Sequence, residues 1–284
     1  MLKGVYRLNQ KEMFKIETSD RINLYGVKSV ASDNKAVVVI VHGFAEHLGR
    51  YDFLNENLLN SNFTVYQFDN RGHGKSEGKI GHVNDFNDYI LDTDMVVEKA
   101  LKENPNVPLF MIGHSMGGFI AFLYGLRHYD KLSGQILSGA ATDYNPEIQG
   151  LKGILIKLAN LVYPDLLIRN DLSALISRDE SVVSSYKSDH LVFDRATARF
   201  YYQFLIKGIN FLVADRHNYK CPCLILHGEQ DRIINKSASE KLYHSVSSED
   251  KTLKIYKNLY HEIFNEPEKS QVISDVLKWI DTRC

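Results

Sequence analysis

The sequence predicts an α/β fold, with a mainly parallel central sheet and helices on both of its faces. Three observations carry this reading. Short apolar runs recur along the chain, and many are followed by segments of helical period; this alternation covers a parallel sheet on both sides. Ala36–Val41 is an unbroken Ala/Val/Ile run, too apolar for a strand with one wet face. Leu109–Ile112 runs directly into Gly113-His114-Ser115-Met116-Gly117, and Phe119-Ile120-Ala121-Phe122-Leu123-Tyr124 continues as a helix, so a serine sits at the tip of a tight strand-to-helix turn.

The elements follow in order. Met13–Thr18 and Asn23–Val30 read as an antiparallel pair around Ser19-Asp20-Arg21. Ala36–Val41 is the first buried strand, and Arg50–Ser61 is helical. Phe63–Phe68 is a strand that runs into the glycine-rich loop Asp69-Asn70-Arg71-Gly72-His73-Gly74-Lys75-Ser76. Asp85 is placed to cap a long helix over Phe86–Glu103, with Ile90, Leu91, Val97 and Leu101 as its apolar positions. A strand at Leu109–Gly113, a helix at Met116–Tyr129 and a strand at Gln135–Ser138 come next. Strands at Cys223–Leu226 and Leu253–Tyr256 and a helix at Ser270–Arg283 complete the alternation.

Between about Tyr144 and Ala214 the alternation stops. Leu151, Ile154, Leu155, Leu158, Leu161 and Val162 keep helical spacing, and Phe200, Tyr201, Phe204, Leu205 and Phe211 mark an aromatic-rich helical stretch. The expected organisation is one domain over residues 1–284 with an all-helical cap inserted at about 144–214. Such an insert sits over the C-terminal strand ends, where sites in α/β folds lie.

Composition narrows the function classes. A hydrophobic fraction of 44% in 284 residues supports a sizeable core. A net charge of −1 provides no field for a polyanion, so nucleic acid is not an expected partner. Met1–Gln10 lacks a signal-type apolar core, and Gly153–Ile168 is interrupted by Lys157, Asn160, Pro164 and Asp165, too polar to span a bilayer. Three cysteines form a sparse, odd set, with Cys221 and Cys223 flanking Pro222. They read as reduced thiols of a cytoplasmic protein, and with no accompanying Cys/His cluster a zinc site is not expected.

The tight turn makes Ser115 the candidate nucleophile. Side chains at Gly113 and Gly117 would collide with neighbouring backbone in such a turn. A serine hydroxyl needs a base, and the base needs an orienting acid; on this kind of sheet they follow in the order Ser, Asp or Glu, His. Cys223–Leu226 leads into His227-Gly228-Glu229-Gln230-Asp231-Arg232, which makes Asp231 the choice of acid, with Glu229 and Asp143 as competitors. Of 11 histidines, His261 is the one on the loop after the last strand and before the last helix. His227 reads as a structural neighbour of the acid loop, His244 as a mid-helix surface residue, and His190 and His217 as residues in or beside the cap. An oxyanion needs two backbone donors. Met116 offers one at a helix N-terminus, where the dipole also favours negative charge. Phe44, in His42-Gly43-Phe44-Ala45-Glu46-His47 after the first buried strand, is placed to offer the other.

Taken together, His42-Gly43-Phe44-Ala45-Glu46-His47-Leu48-Gly49-Arg50-Tyr51, the segment Asp69 to Ser76, Gly113-His114-Ser115-Met116-Gly117-Gly118, Asp231 and His261 resemble the monoacylglycerol lipase group of α/β-hydrolases, whose relatives include lysophospholipases. Ser177-Arg178-Asp179 through Tyr186 to Leu191 also resembles that group. The similarity spans nearly the whole chain. It implies the α/β-hydrolase fold and serine hydrolysis of carboxylic esters through an acyl-enzyme, with one long acyl chain under a mobile cap and no cofactor or metal. Asp189-His190-Leu191 stands where the group usually has Asp-Pro-Leu, and the cap is where such enzymes vary most.

The expected partner is a small-molecule acyl ester, and the cap is where a transient membrane contact would form. The helix over Leu151–Val162 is apolar around most of its circumference, Ile156 and Ala159 included, so Leu151, Leu155 and Leu158 are expected to line the acyl site; a helix wholly buried in the cap is the alternative. Two other functions remain open on sequence grounds. One is an esterase for short-chain or aromatic acyl groups. The other is a catalytically silent ligand receptor on the same fold, which would usually lack one of Ser115, Asp231 and His261; none is missing.

Overall fold

Val37, Val39 and Val41 pack on one face of the central sheet with Ile120 and Leu123, while Ala36, Val38 and Ile40 pack on the other with Leu54, Leu58 and Val276. This period of two, with both faces apolar, explains why the run contains no polar residue. The structure, a computed structural model, describes residues 11–284, so the reading of Met1–Gln10 lies outside the described residues.

β1 (Lys11–Glu17) and β2 (Asn23–Ser29) form the antiparallel pair. β3 (Ala36–Val41), α1 (Asp52–Asn60), β4 (Phe63–Phe68), α2 (Asn87–Glu103), β5 (Leu109–His114), α3 (Met116–His128) and β6 (Gly134–Ser138) then alternate. The insert follows, with α4 (Pro146–Gln149), α5 (Leu151–Val162), β7 (Leu167–Arg169), α6 (Glu180–Ser188), β8 (Arg195–Thr197), α7 (Ala198–Tyr201), a π-helical run over Tyr202–Gly208 and α8 (Ile209–Asp215). β9 (Cys223–Gly228), α9 (Ser237–Ser245), β10 (Lys251–Tyr256) and α10 (Lys269–Asp281) close the chain.

The main sheet has the order β1-β2-β4-β3-β5-β6-β9-β10, parallel from β4 onward. From β3 the chain first moves outward to β4. It then crosses back to place β5 on the other flank of β3, so the strand order reverses between β3 and β5. In open α/β sheets, ligands bind at the carboxyl ends of the strands beside such a reversal. Pairings of Val41 with Gly113, His114 with Ser138, and Gly228 with Tyr256 bring the C-terminal ends of β3, β5, β6, β9 and β10 to one edge.

Several expectations need correction. The insert is not all-helical, because β7 and β8 pair antiparallel through Leu167–Thr197, Ile168–Ala196 and Arg169–Arg195. Three-residue strands are too short to show a two-residue period in sequence. The long helix begins at Asn87; Asp85 still serves its start, accepting from the Asn87 backbone N–H at 3.0 Å. Leu91 is exposed while its neighbour Ile90 is buried, since adjacent residues on a helix point about 100° apart.

Candidate active site

β5 ends at His114 and α3 begins at Met116, so Ser115 alone makes the turn, at φ 55° and ψ −116°. An L-residue persists in such a conformation only where its surroundings dictate it. Here the Ser115 N–H donates to the Ser138 carbonyl at 2.9 Å, and the Ser115 carbonyl accepts from Phe119 and Ala141 N–H, both at 3.1 Å. The turn is also too crowded for side chains on either flank. A Cβ at Gly117 would lie 2.1 Å from the Val41 carbonyl oxygen, and one at Gly113 would lie 2.4 Å from that of Gly117.

Asp231 lies on the loop after β9 and His261 on the loop after β10, and both are buried. Asp231 Oδ1 accepts from the Ile233 and Ile234 N–H groups at 2.8 and 3.0 Å. Oδ2 stands 2.6 Å from His261 Nδ1. The loop contacts and the imidazole contact thus belong to different oxygens of one carboxylate. His261 lies against His114, the residue before Ser115, with ring centroids 4.6 Å apart. No hydrogen bond joins Ser115 Oγ to His261 among the described residues; without substrate such contacts are commonly long. Glu229 and Asp143 do not join the cluster. Glu229 accepts from the Asn258 N–H at 3.3 Å, and Asp143 pairs with Arg216 at 3.4 Å and with Lys241 at 2.5 Å.

The electrostatics separate the two partners. Burial pushes the Asp231 carboxyl up, but His261 and His227 outweigh it and hold the group well below the usual carboxylate range. Burial pushes His261 down, but Asp231 pulls it above the ordinary histidine value, with help from Glu262 and Glu46. His114 goes the other way, held far below its ordinary value by burial and by the neighbouring His261.

The loop after β3 is tied by hydrogen bonds and ring contacts. Asn70 donates its backbone N–H to His42 Nε2 at 2.9 Å, so the proton sits on His42 Nδ1, which donates to the Gly43 carbonyl at 2.8 Å. Burial lowers both His42 and its ring neighbour His73 to about 3, so both stay neutral. Phe44 stacks on Phe200 at 4.9 Å and meets Phe193 edge-on at 5.5 Å. Neither the Phe44 nor the Met116 N–H donates to another group among the described residues, which leaves both available to an oxyanion.

Sequence reasoning missed the polar groups that brace this loop. Glu46, buried, accepts from the Gly43 N–H at 2.5 Å and from the Tyr51 hydroxyl at 2.6 Å. Arg50 lies between Glu46 at 3.3 Å and Glu262 at 2.5 Å, and so ties the loop to the residue after His261. His47 Nε2 meets Asp189 Oδ2 at 2.8 Å, which anchors the insert to the same loop; this is what stands at the departure Asp189-His190-Leu191. Glu46, His47 and Arg50 lie inside the motif already quoted, but a charged residue in sequence does not announce that it is buried.

The insert holds a surprise of exposure. On α5 only Gly153 and Ile156 are buried, while Leu151, Leu155 and Leu158 are 71%, 55% and 52% exposed. Ile154, Leu161, Val162, Tyr163 and Leu167 are exposed beside them. Phe200 and Phe204 are buried and pack on Phe44 and Phe119 instead. Among the described residues no group of three or more His, Cys, Asp or Glu side chains is disposed to hold a metal, and no helix is long and apolar enough to cross a membrane.

Comparison with known proteins shows the family and the fold. Residues 32–268 match the family model described as serine aminopeptidase, S33. The chain is 36% identical to a monoacylglycerol lipase of Mycolicibacterium smegmatis over 90% of its own length and 92% of that protein. The crystal structure of a Paleococcus ferrophilus monoacylglycerol lipase is similar at a TM-score of 0.83 and 32% identity, covering 92% of this chain and 99% of that one. A soluble variant of Saccharomyces cerevisiae monoglyceride lipase in complex with a substrate analog is similar at a TM-score of 0.87 and 26% identity, covering 98% and 97% of the two chains.

Proposed function

The chain belongs to the serine aminopeptidase, S33 family of α/β-hydrolases, and from that premise we propose that it is a serine ester hydrolase acting on monoacylglycerols and related single-chain acyl esters. Ser115 Oγ attacks the ester carbonyl carbon as His261 Nε2 takes the hydroxyl proton. Asp231 fixes the imidazole with its proton on Nδ1 and stabilises the imidazolium. The Phe44 and Met116 N–H groups receive the oxyanion, aided by the N-terminus of α3. Collapse expels the glycerol oxygen, which leaves with the proton from His261. Water then attacks the acyl-Ser115 ester by the same route, releasing a fatty acid and restoring the serine.

The observation that carries this reading is the 2.6 Å contact between His261 Nδ1 and Asp231 Oδ2, at the strand edge where Ser115 makes its left-handed turn. Residues 144–214 act as the cap. The exposed face of α5 around Leu151, Leu155 and Leu158 supports a role in meeting lipid, either an acyl chain or the surface that delivers it, because contiguous exposed apolar side chains mark an interaction site. Three free cysteines, Cys221 and Cys223 among them fully buried, support a reducing, cytoplasmic setting.

The test is fatty-acid release from monoacylglycerols, alongside p-nitrophenyl esters of rising chain length. Each additional methylene buried contributes about 0.8 kcal/mol, so kcat/KM should climb with chain length. A preference for acetate over long-chain esters would replace this reading with a short-chain esterase.

A further inference from the structure

The acid of the site is held from two sides, and only one of them is His261. His227, the penultimate residue of β9, is 0% exposed and places its Nε2 3.1 Å from Asp231 Oδ2, the same oxygen that faces His261 Nδ1. His227 Nε2 also lies 2.9 Å from the Ile234 carbonyl, while its Nδ1 lies 2.7 Å from the hydroxyl of the buried Ser239 on α9. Two acceptors around Nε2 require the proton there, so the Ser239 hydroxyl donates to Nδ1. The imidazole thus spans the loop that carries Asp231, tying its far end at Ile234 back to β9.

We infer that His227 is a positioning residue for Asp231, its Nε2–H sharing and orienting the oxygen that faces His261. The inference rests on the reading of Ser115, Asp231 and His261 as the reacting groups. With His227 in place, Oδ1 accepts from the Ile233 and Ile234 N–H groups, and Oδ2 faces two imidazole nitrogens, His261 Nδ1 at 2.6 Å and His227 Nε2 at 3.1 Å. Without it, His261 alone among the described residues meets Oδ2, and the carboxylate plane is free to turn about its Oδ1 bonds. The second donor also draws off part of the Oδ2 charge and so moderates the basicity of His261. The other groups acting on His261 are the His114 ring and the Glu262 and Glu46 carboxylates, with Arg50 between those two. None of them touches Asp231 Oδ2. Removing His227 therefore leaves the full charge facing His261 and should raise its apparent pKa.

The experiment measures kcat and KM against pH on a water-soluble p-nitrophenyl ester for the wild type, His227→Leu, His227→Gln and Ser239→Ala, with thermal melts of each. A misaligned catalytic group costs about 10- to 100-fold, so His227→Leu should lose that much kcat with little change in KM. Its acid limb should move upward by about half to one pH unit, as expected for loss of a hydrogen bond to a charged acceptor. Glutamine places an amide N–H near the position of Nε2, so His227→Gln should recover most of the rate and return the limb. Ser239→Ala lets the Nδ1–H tautomer compete and should move the limb in the same direction with a smaller loss.

An unmoved limb in both His227→Leu and Ser239→Ala would overturn the inference, as would equal damage in His227→Leu and His227→Gln. If His227→Leu does not fold, an unmoved limb in Ser239→Ala overturns the inference and an upward shift supports it. Failure of a fluorophosphonate to label Ser115 in the wild type would overturn the underlying reading instead.

Discussion

His261 Nδ1 and Asp231 Oδ2 meet at 2.6 Å although 30 positions separate them in sequence, and neither Glu229 nor Asp143 approaches the imidazole. Asp231→Asn leaves the shape but favours the wrong imidazole tautomer, which costs about 10⁴ in kcat in serine hydrolases. Glu229→Gln and Asp143→Asn should each stay within a few-fold of wild type. If Asp143→Asn or Glu229→Gln is the crippling change in steady-state ester hydrolysis, the acid is a different residue.

The base works only when His261 is uncharged. Burial lowers its pKa, but Asp231, Glu262 and Glu46 raise it by more, so the net shift is upward. The active form is therefore lost as pH falls through a value above the ordinary histidine pKa of about 6.5. His42 and His73, at about 3, stay neutral across this range and do not distort the profile. A kcat/KM profile on a soluble ester should bend on the acid side above about pH 6.5; a flat profile from about pH 5 to 8 would rule out a histidine base.

The turn itself can be tested by adding a methyl group. Gly117→Ala puts a Cβ 2.1 Å from the Val41 carbonyl oxygen, between α3 and β3, where backbone faces backbone. Overpacking of this kind costs about 1–3 kcal/mol or more, and about 1 kcal/mol lowers Tm by roughly 2–4 °C in a chain of this size class. Calorimetry should show a clear drop in Tm together with loss of activity. An unchanged Tm would mean that the contact relaxes freely.

Leu155 and Leu158 are exposed on α5, so charges there should leave the fold intact. Leu155→Asp and Leu158→Asp, made singly, should weaken hydrolysis of vesicle-borne monoacylglycerol about tenfold or more, since burying such a side chain contributes about 1.5–3 kcal/mol. Hydrolysis of p-nitrophenyl acetate should hardly change. Equal losses on both substrates would point to a damaged cap rather than a lipid-facing surface.

Periodicity made the central strands legible. Ala36–Val41 and Phe63–Phe68 have the bounds the sequence predicts: the first carries no polar residue, and the second buries Thr64 and Gln67 along with its apolar side chains. Ser115 was legible because its turn needs glycines on either side, and Asp231 and His261 because each stands on the loop after a late strand. The brace of Glu46, Arg50 and Glu262 was not legible. Its members come from loops more than 200 positions apart, as the 212-residue separation of Arg50 and Glu262 shows, and only folding reveals that these charges are buried. His227 reads in sequence only as a structural neighbour of the acid loop, because sequence order does not show which way its imidazole points. The pair β7–β8 escapes for want of length, and the exposure of α5 escapes because an apolar circumference does not say which side faces water.

The most direct measurement is the turnover of a monoacylglycerol by the purified wild type and by Ser115→Ala, with fatty acid quantified and circular dichroism run in parallel. Loss of the nucleophile from such a site typically costs about 10⁴- to 10⁶-fold. The expected result is robust hydrolysis by the wild type and a loss of that order in a Ser115→Ala protein that keeps its native spectrum. Wild-type-like hydrolysis by folded Ser115→Ala, or no ester hydrolysis by the wild type on any chain length, would contradict the assignment.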